Sequence, residues 1–236
     1  MSDVLPRLAK LRGKALDFLF PRRCVGCGSG GDFLCDKCCR ALTRILPPVC
    51  VRCGRPYAGR GLCTACAEWA ASIDGIRSPF RFEGTIRQAV HQLKYNNLRA
   101  LAQPLVRLLR DYLVESPVPG DVLVPVPLHR RRLRERGYNQ SVLLARELGA
   151  MARLPVVDDC LERRQPGLPQ ARTSSVQERR QNVRGVFLCR DDRLSGKQVL
   201  LVDDVATSGA TLDACAAALK DAGAASVWAL VLAREI

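Results

Sequence analysis

The sequence contains few histidine, methionine and aromatic residues. Of its 236 residues, two are histidines, two are methionines and 5% are aromatic. With His91 and His129 alone, neither a Ser–His–Asp triad nor a histidine-ligated metal site is expected. No apolar run approaches the length of a transmembrane helix, and no G-x-x-x-x-G-K-[ST] motif predicts a Walker A loop. These absences disfavour a membrane-spanning protein, a P-loop nucleotidase and a histidine-based hydrolase.

Positive charge exceeds negative charge by a wide margin. Lysine and arginine number 37 against 23 aspartates and glutamates, which gives a formal net charge of +14. This excess favours an anionic partner such as a nucleotide, pyrophosphate or a nucleic acid, without choosing among them.

The first twenty residues have the pattern of an amphipathic helix. Apolar residues recur at helical spacing between Val4 and Leu19, so we expect a helix over residues 1–20. Such a helix could lie on a membrane surface, although packing against the rest of the protein is the commoner arrangement. Basic residues interrupt the segment, which has no clean hydrophobic core of a signal peptide. We therefore expect a cytoplasmic protein.

Cysteines dominate the next segment, residues 21–70. Eight of the twelve cysteines form four C-x-x-C pairs: Cys24 with Cys27, Cys35 with Cys38, Cys50 with Cys53, and Cys63 with Cys66. Two such pairs complete one tetrahedral Cys₄ zinc site, so the segment predicts two structural Zn²⁺ ions. Sequential pairing closes shorter loops than interleaved pairing and is favoured, while Cys39 is an alternative to Cys38. A segment this short needs the metal to stay folded.

An acidic pair follows an apolar run near the C-terminus. Residues 199–202 predict a strand buried on both faces, and Asp203 and Asp204 follow them directly. Next comes a turn of small residues before a helix: Ala206, Thr207, Ser208, Gly209, Ala210 and Thr211. The N–H groups and hydroxyls of such a turn hold a phosphate, and the carboxylates suit sugar hydroxyls or a hydrated Mg²⁺.

A second candidate anion site follows another apolar run. A strand beginning at Asp121 should leave the sheet at Pro125 and Pro127, because proline does not suit the interior of a central strand. An arginine-rich helix start comes next, which predicts an anion site or, alternatively, a solvated basic helix face. Residues 163–182 form a long polar segment of the kind that is usually either functional or disordered. We also expect strands over 76–82, 186–188 and 226–232, and helices over 85–93 and 98–114.

Several motifs together resemble the ComF family of phosphoribosyltransferase-like proteins. Besides the four C-x-x-C pairs they are LKY (93–95), VPVPLHRRRLRERGYNQ (124–140), PQ (169–170), ERRQN (178–182) and LVDDVATSGAT (201–211). The resemblance implies a double zinc ribbon over 21–70 and a type I phosphoribosyltransferase-like domain over 71–236. The fold class would be α/β, a parallel sheet flanked by helices. The family is associated with natural competence, acting on incoming single-stranded DNA at the cytoplasmic side.

The resemblance also assigns roles by position. Asp203 and Asp204 would be the catalytic acids that meet the ribose hydroxyls, with the turn at 206–211 wrapping the 5′-phosphate. The pyrophosphate loop would comprise Pro125, Val126, Pro127, Leu128, His129 and Arg130. Supporting residues would be Arg136, Tyr138 and Asn139, and a flexible catalytic hairpin would carry Gln170, Arg179 and Asn182. Gly167 departs from the family, which often has threonine there.

The leading prediction is a protein that binds phosphoribosyl pyrophosphate with Mg²⁺ and acts in DNA uptake. As an enzyme it would be a phosphoribosyltransferase whose acceptor the sequence does not name. Single-stranded DNA and the uptake machinery at the inner membrane would be its partners. A non-catalytic single-strand-binding module with a relic or sensing pocket is the alternative, and a housekeeping nucleobase phosphoribosyltransferase is the third hypothesis.

Overall fold

A parallel β-sheet organises the chain in the computed structural model, which describes residues 22–164 and 185–236. Its strands are β1 (Gly75–Arg77), β2 (Phe80–Arg81), β3 (Val122–Pro125), β6 (Gln198–Ala206) and β7 (Ser226–Arg234). The order across the sheet is β1-β7-β6-β3, and β2 also pairs with β7. β4 (Leu161–Arg163) and β5 (Phe187–Cys189) form a separate antiparallel pair.

The described part of the chain contains seven helices, of which the first two are short and lie in the cysteine-rich segment. They are α1 (Asp36–Arg40), α2 (Thr64–Ala67), α3 (Gly84–Tyr95), α4 (Ala102–Glu115), α5 (Arg130–Arg136), α6 (Gln140–Ala152) and α7 (Ala210–Asp221). A 3₁₀ turn, Arg99–Leu101, precedes α4. None of these helices is long and apolar enough to cross a membrane. The helix expected over residues 1–20 lies outside the described residues.

Strand β6 is buried on both faces, as its apolar run predicts. Val199 and Leu201 pack on the face covered by α7, whereas Leu200 and Val202 pack on the face covered by α3, α4 and α6. Successive side chains of a strand point to opposite faces, so one four-residue run contributes to both cores. The α/β fold class expected from the sequence is thereby confirmed.

Three secondary-structure elements have bounds that differ from those predicted from the sequence. The strand expected over 76–82 is broken at Ser78 and Pro79, where proline has no N–H for the ladder. β6 does not stop before the acidic pair but continues to Ala206, because β7 still pairs alongside it. The helix expected over 98–114 is divided into a 3₁₀ turn and α4. The strand beginning near Asp121 does end at Pro125, as predicted.

The cysteine-rich segment docks on both faces of the sheet. Cys24 and Cys38 join the core that contains α3, α4 and α6, whereas Cys50, Cys53 and Cys66 join the core that contains α7. The two halves of this segment therefore contact different parts of the α/β domain.

Candidate functional site

The acidic pair lies at the carboxyl end of the central strand β6. The Ser141 hydroxyl, at the start of α6, donates to Asp203 Oδ1 at 2.7 Å, and the Asp204 N–H donates to the same oxygen at 2.9 Å. The Asp204 Oδ1 atom accepts from the Val205 N–H at 3.0 Å. Burial, followed by the neighbouring Asp204 carboxylate, raises the pKa of Asp203 to about 7. Asp203 therefore holds a proton more readily than an exposed aspartate does.

Lys94 supplies the positive charge for the second acid. Its Nζ lies 2.5 Å from Asp204 Oδ2, and Asp204 is only 2% exposed. Lys94 stands in the last turn of α3, which ends at Tyr95. The helix end is held in place by Tyr138, whose hydroxyl donates to the Leu93 carbonyl. A cation is therefore fixed beside Asp204 in the cleft lining.

Other strand and helix ends complete a cleft of about 160 Å³ around the acids. Its lining comprises Lys94, Tyr95, Val126, Pro127, Leu128, Arg132, Arg136, Gln140, Ser141, Arg163, Asp203, Asp204, Val205 and Thr211. A neighbouring cavity of about 500 Å³ shares Lys94, Tyr95, Arg132 and Arg136 with it. Four cations and two carboxylates line the cleft around the acids, so it suits an anion that also carries hydroxyls.

The loop after β3 reaches the cleft in part. Val126, Pro127 and Leu128 line it, whereas Pro125 ends the strand. His129 caps α5, its Nδ1 accepting from the Arg131 N–H at 3.2 Å. Arg130 directs its guanidinium to Glu162 of β4 instead of into the cleft.

Of the three residues expected to support this loop, Asn139 contacts it directly, whereas the Tyr138 hydroxyl contacts α3. Arg136 lines the cleft and donates to the side chain of Gln140. Asn139 donates to the Val126 carbonyl at 2.9 Å and accepts from the Ser141 N–H at 2.9 Å, so it joins the loop to the start of α6. Gln170, Arg179 and Asn182 lie outside the described residues.

The 206–211 turn connects β6 to α7. Thr211 lines the cleft beside the acids, whereas the other five residues of the turn are not among its lining residues. Gly209 is the N-cap of α7 with φ of 81°, a left-handed conformation that favours glycine, and no side chain caps the helix from that position. Thr207 is exposed and Ser208 buried. The unshared N–H groups of a helix start can receive an anion.

The eight predicted ligands form two groups of four sulfur atoms. Cys24, Cys27, Cys35 and Cys38 make the first cluster, and Cys50, Cys53, Cys63 and Cys66 make the second. Within each cluster the sulfur atoms lie within 4.8 Å of one another, and the pairing is sequential. Cys39 is outside the first cluster, its thiol directed to the Leu34 carbonyl.

The chemistry of both clusters fits structural Zn²⁺. In the first, the Cys35 N–H donates to Cys24 Sγ at 3.4 Å, and in the second the Cys63 N–H donates to Cys50 Sγ at 3.3 Å. Burial opposes ionisation of Cys24 and Cys50, but backbone N–H groups outweigh it and lower the pKa of each to about 6. Thiolates are the form that binds zinc, and four of them leave no open position for a substrate.

Two domain families match different parts of the chain. Residues 15–67 match a double zinc ribbon domain, and residues 135–236 match a phosphoribosyl transferase domain. Competence protein ComFC of Bacillus subtilis is 29% identical over 213 residues, 86% of this chain and 84% of that protein. DNA utilization protein YhgH of Salmonella typhimurium is 30% identical over 209 residues, 86% of this chain and 91% of that protein.

The chain belongs to the ComF family. A solved glutamine phosphoribosylpyrophosphate amidotransferase of B. subtilis is 23% identical to this ComF-family chain and has a TM-score of 0.39. The similarity covers 56% of this chain and 26% of that one. The domain match and the sheet topology identify the α/β part of this ComF-family protein as phosphoribosyltransferase-like.

Sequence reasoning assigned no individual role to several residues of the cleft. Lys94, Gln140 and Ser141 come from helix ends. Arg132 belongs to the arginine-rich helix start that was predicted as an anion site, and Arg163 begins the polar segment over 163–182. The LKY motif was the one available signal for Lys94, and nothing local indicated that Ser141 would contact an aspartate 62 positions later.

Proposed function

We propose that this ComF-family protein binds phosphoribosyl pyrophosphate and Mg²⁺ in the cleft and serves DNA uptake. The observation that carries the proposal is the acidic pair at the carboxyl end of β6, next to a helix start and facing several cations. Open α/β sheets bind ligands at this edge. A ligand with two ribose hydroxyls and separate phosphate groups matches each part of such a site.

The carboxylates would receive the ribose hydroxyls. Asp203 Oδ1 already accepts two hydrogen bonds, which leaves Oδ2 for a ligand. The raised pKa of Asp203 favours a partner that donates hydrogen bonds or brings positive charge. Carboxylate oxygens are ligands that Mg²⁺ accepts alongside substrate phosphates, so the donor set fits this ion.

The cations would receive the phosphates. Arg132 and Arg136 face the same cleft from α5, and Val126, Pro127 and Leu128 provide its floor beside them. The diphosphate would lie on this side, and the 5′-phosphate at the 206–211 turn. Such groups stabilise negative charge that develops on pyrophosphate as its bond to the sugar C1′ weakens, and the phosphoribosyl group then passes to an acceptor.

Single-stranded DNA would contact the outer surface of the same helix. The side chains of Arg130 and Arg131 are 72% and 77% exposed, so α5 presents cations both to the cleft and to solvent. The names of these two relatives refer to competence and to DNA utilization. Contacts of this kind are to phosphates and do not read sequence.

The double variant Asp203→Asn/Asp204→Asn tests the proposal. Phosphoribosyl pyrophosphate binding, measured by calorimetry with Mg²⁺, should disappear, while affinity for single-stranded DNA should be unchanged or slightly higher. Asp111→Asn, on the exposed surface of α4, is the matched control for charge removal. Circular dichroism checks the fold of each variant.

DNA uptake in a competent host then separates the two leading hypotheses. If the double variant loses DNA uptake but still binds DNA, the result supports a pocket that functions in uptake. Normal uptake with the double variant contradicts the proposal and indicates a binding module whose pocket is a relic.

A further inference from the structure

The second cysteine cluster is joined to the 206–211 turn by direct contacts. Arg55, two residues after Cys53, donates from Nη2 to the Thr207 carbonyl at 3.2 Å. Arg234, at the end of β7, approaches the same carbonyl with its Nη2 at 3.5 Å. One backbone oxygen of the turn therefore receives two guanidinium groups, one of them carried by the cysteine-rich segment.

Packing also supports this junction between the second cysteine cluster and the 206–211 turn. A Cβ atom on Gly209 would lie 2.9 Å from Ile76 Cδ1 and 3.3 Å from Trp69 Cη2, so the turn fits closely against β1 and the segment after α2. Ile76 also meets the cluster, because a Cβ on Gly54 would lie 2.3 Å from its carbonyl oxygen. Close packing of this kind transmits displacements instead of absorbing them.

A hydrogen-bonded link closes the other end of the junction. Asp213, in the first turn of α7, accepts from the N–H groups of Ser72 and Ile73 at 2.7 and 3.0 Å. After Gly209, the start of α7 is thus tied to the polypeptide that follows the second cluster, and before Gly209 the Thr207 carbonyl is tied to Arg55 within the cluster segment.

The charges at this junction favour a metal-loaded cluster. Arg234 is 1% exposed, and its Nε and Nη1 atoms have no hydrogen-bond partner in the described part of the chain. Burial lowers the pKa of Arg234 to about 10, against the opposing influence of Cys53 and other thiols of the second cluster. Four thiolates around one Zn²⁺ carry a net charge of about −2, which compensates the buried Arg234 guanidinium and the half-buried Arg55 side chain.

We propose that Arg55 and Arg234 are positioning residues through which the second zinc cluster holds the 206–211 turn in its ligand-binding shape. The inference deepens the proposed function and rests on it for the identity of the ligand. It makes zinc in the second cluster, and not in the first, a requirement for tight binding of phosphoribosyl pyrophosphate. Zinc affinity of the second cluster must in turn rise when the ligand binds, since coupling is reciprocal.

The first cluster provides the internal comparison. It packs on the opposite face of the sheet, where Gly26 lies against Thr85 at the start of α3. Cys35 and Cys63 occupy equivalent positions, since each donates its N–H to the first cysteine sulfur of its own cluster, and both are half-buried. Cys35→Ser and Cys63→Ser are therefore a matched pair.

The first test measures phosphoribosyl pyrophosphate binding to full-length variants by calorimetry, with zinc content determined on the same samples. Arg55→Gln should weaken binding about five- to tenfold while two zinc ions remain, because one charge-assisted hydrogen bond is lost. Arg55→Lys should recover part of the affinity. Arg77→Gln is the control, because Arg77 contacts the Val51 carbonyl between Cys50 and Cys53 but does not contact the 206–211 turn. This control variant should have a lower Tm and an unchanged Kd.

The second test compares the cysteine variants and the effect of ligand on zinc. Cys63→Ser should lose one zinc and bind at least tenfold more weakly, whereas Cys35→Ser should lose one zinc and stay within twofold of the wild type. At equilibrium in a graded chelator buffer, saturating ligand should protect one zinc ion per chain and not the other.

Hydrogen exchange separates failure of this inference from failure of the proposed function. Amides of the 206–211 turn should exchange faster in Arg55→Gln and Cys63→Ser than in Arg77→Gln and Cys35→Ser, with no ligand present. If the wild type binds no phosphoribosyl pyrophosphate, the proposed function fails and these exchange rates alone decide the positioning role. Equal exchange in all four variants, or equal affinity of Arg55→Gln and Arg77→Gln, overturns the inference.

Discussion

Asp203→Asn should stabilise the free protein at neutral and alkaline pH while removing its proposed ligand contact. Burial and the adjacent carboxylate raise the pKa of Asp203 from 3.8 to about 7. The folded state therefore holds this proton more tightly than the unfolded state does, and wild-type stability falls as pH rises from about 4 to about 7. Asparagine has no proton to lose, so the variant does not pay that cost.

The magnitude follows from the pKa. A shift of about 3 units corresponds to about 4 kcal/mol at full effect. Because Asp203 faces an open cleft where water screens its charge, we expect about half, roughly 2 kcal/mol. For a chain of this length, that is a rise in Tm of about 4–8 °C.

Thermal unfolding of both proteins at several pH values between 5 and 8 measures the effect. The difference in Tm between Asp203→Asn and the wild type should grow with pH and level off above about 7. Asp111→Asn, which removes one exposed carboxylate, should show a small and pH-independent difference. A constant difference for Asp203→Asn, or destabilisation at pH 8, would refute the reasoning about this site.

Three further predictions concern the metal, the internal ion pair and DNA. Elemental analysis should find two zinc ions per chain, and Cys24→Ser should release one of them while the other stays bound; one zinc or none in the wild type would be contradictory. Lys94→Met should destabilise the protein by about 3 kcal/mol in urea at pH 7 by leaving the Asp204 carboxylate buried and unpaired, and adding Asp204→Asn should restore most of the loss. Single-stranded DNA should bind without sequence preference and with an affinity that falls steeply with salt, so equal anisotropy titrations at low and high salt would argue against phosphate contacts.

The parts of the fold that local sequence specifies were predictable. The unbroken apolar run of 199–202 can be buried on both faces only in a covered sheet, and prolines at 125 and 127 end the strand that contains the first of them. The C-x-x-C spacing similarly indicated the two sulfur clusters, because a short turn brings each pair of thiols together.

The arrangement of the cleft was less accessible to sequence reasoning. Lys94 and Asp204 are 110 positions apart, and only the packing of α3 against the sheet brings them within 2.5 Å. The contact between Arg55 and Thr207 has the same character, since it depends on how the cysteine-rich segment docks. Continuation of β6 through the acids was also missed, because its cause is the length of β7 and not any feature of β6 itself.

Titration of the wild-type protein with phosphoribosyl pyrophosphate in the presence and absence of Mg²⁺ tests the central claim most directly. One ligand per chain should bind in the presence of Mg²⁺, with weaker binding when the metal is removed, and ribose 5-phosphate should compete because it shares the hydroxyls and the 5′-phosphate. Absence of binding under both conditions, or binding that survives Asp203→Asn/Asp204→Asn unchanged, would contradict the account.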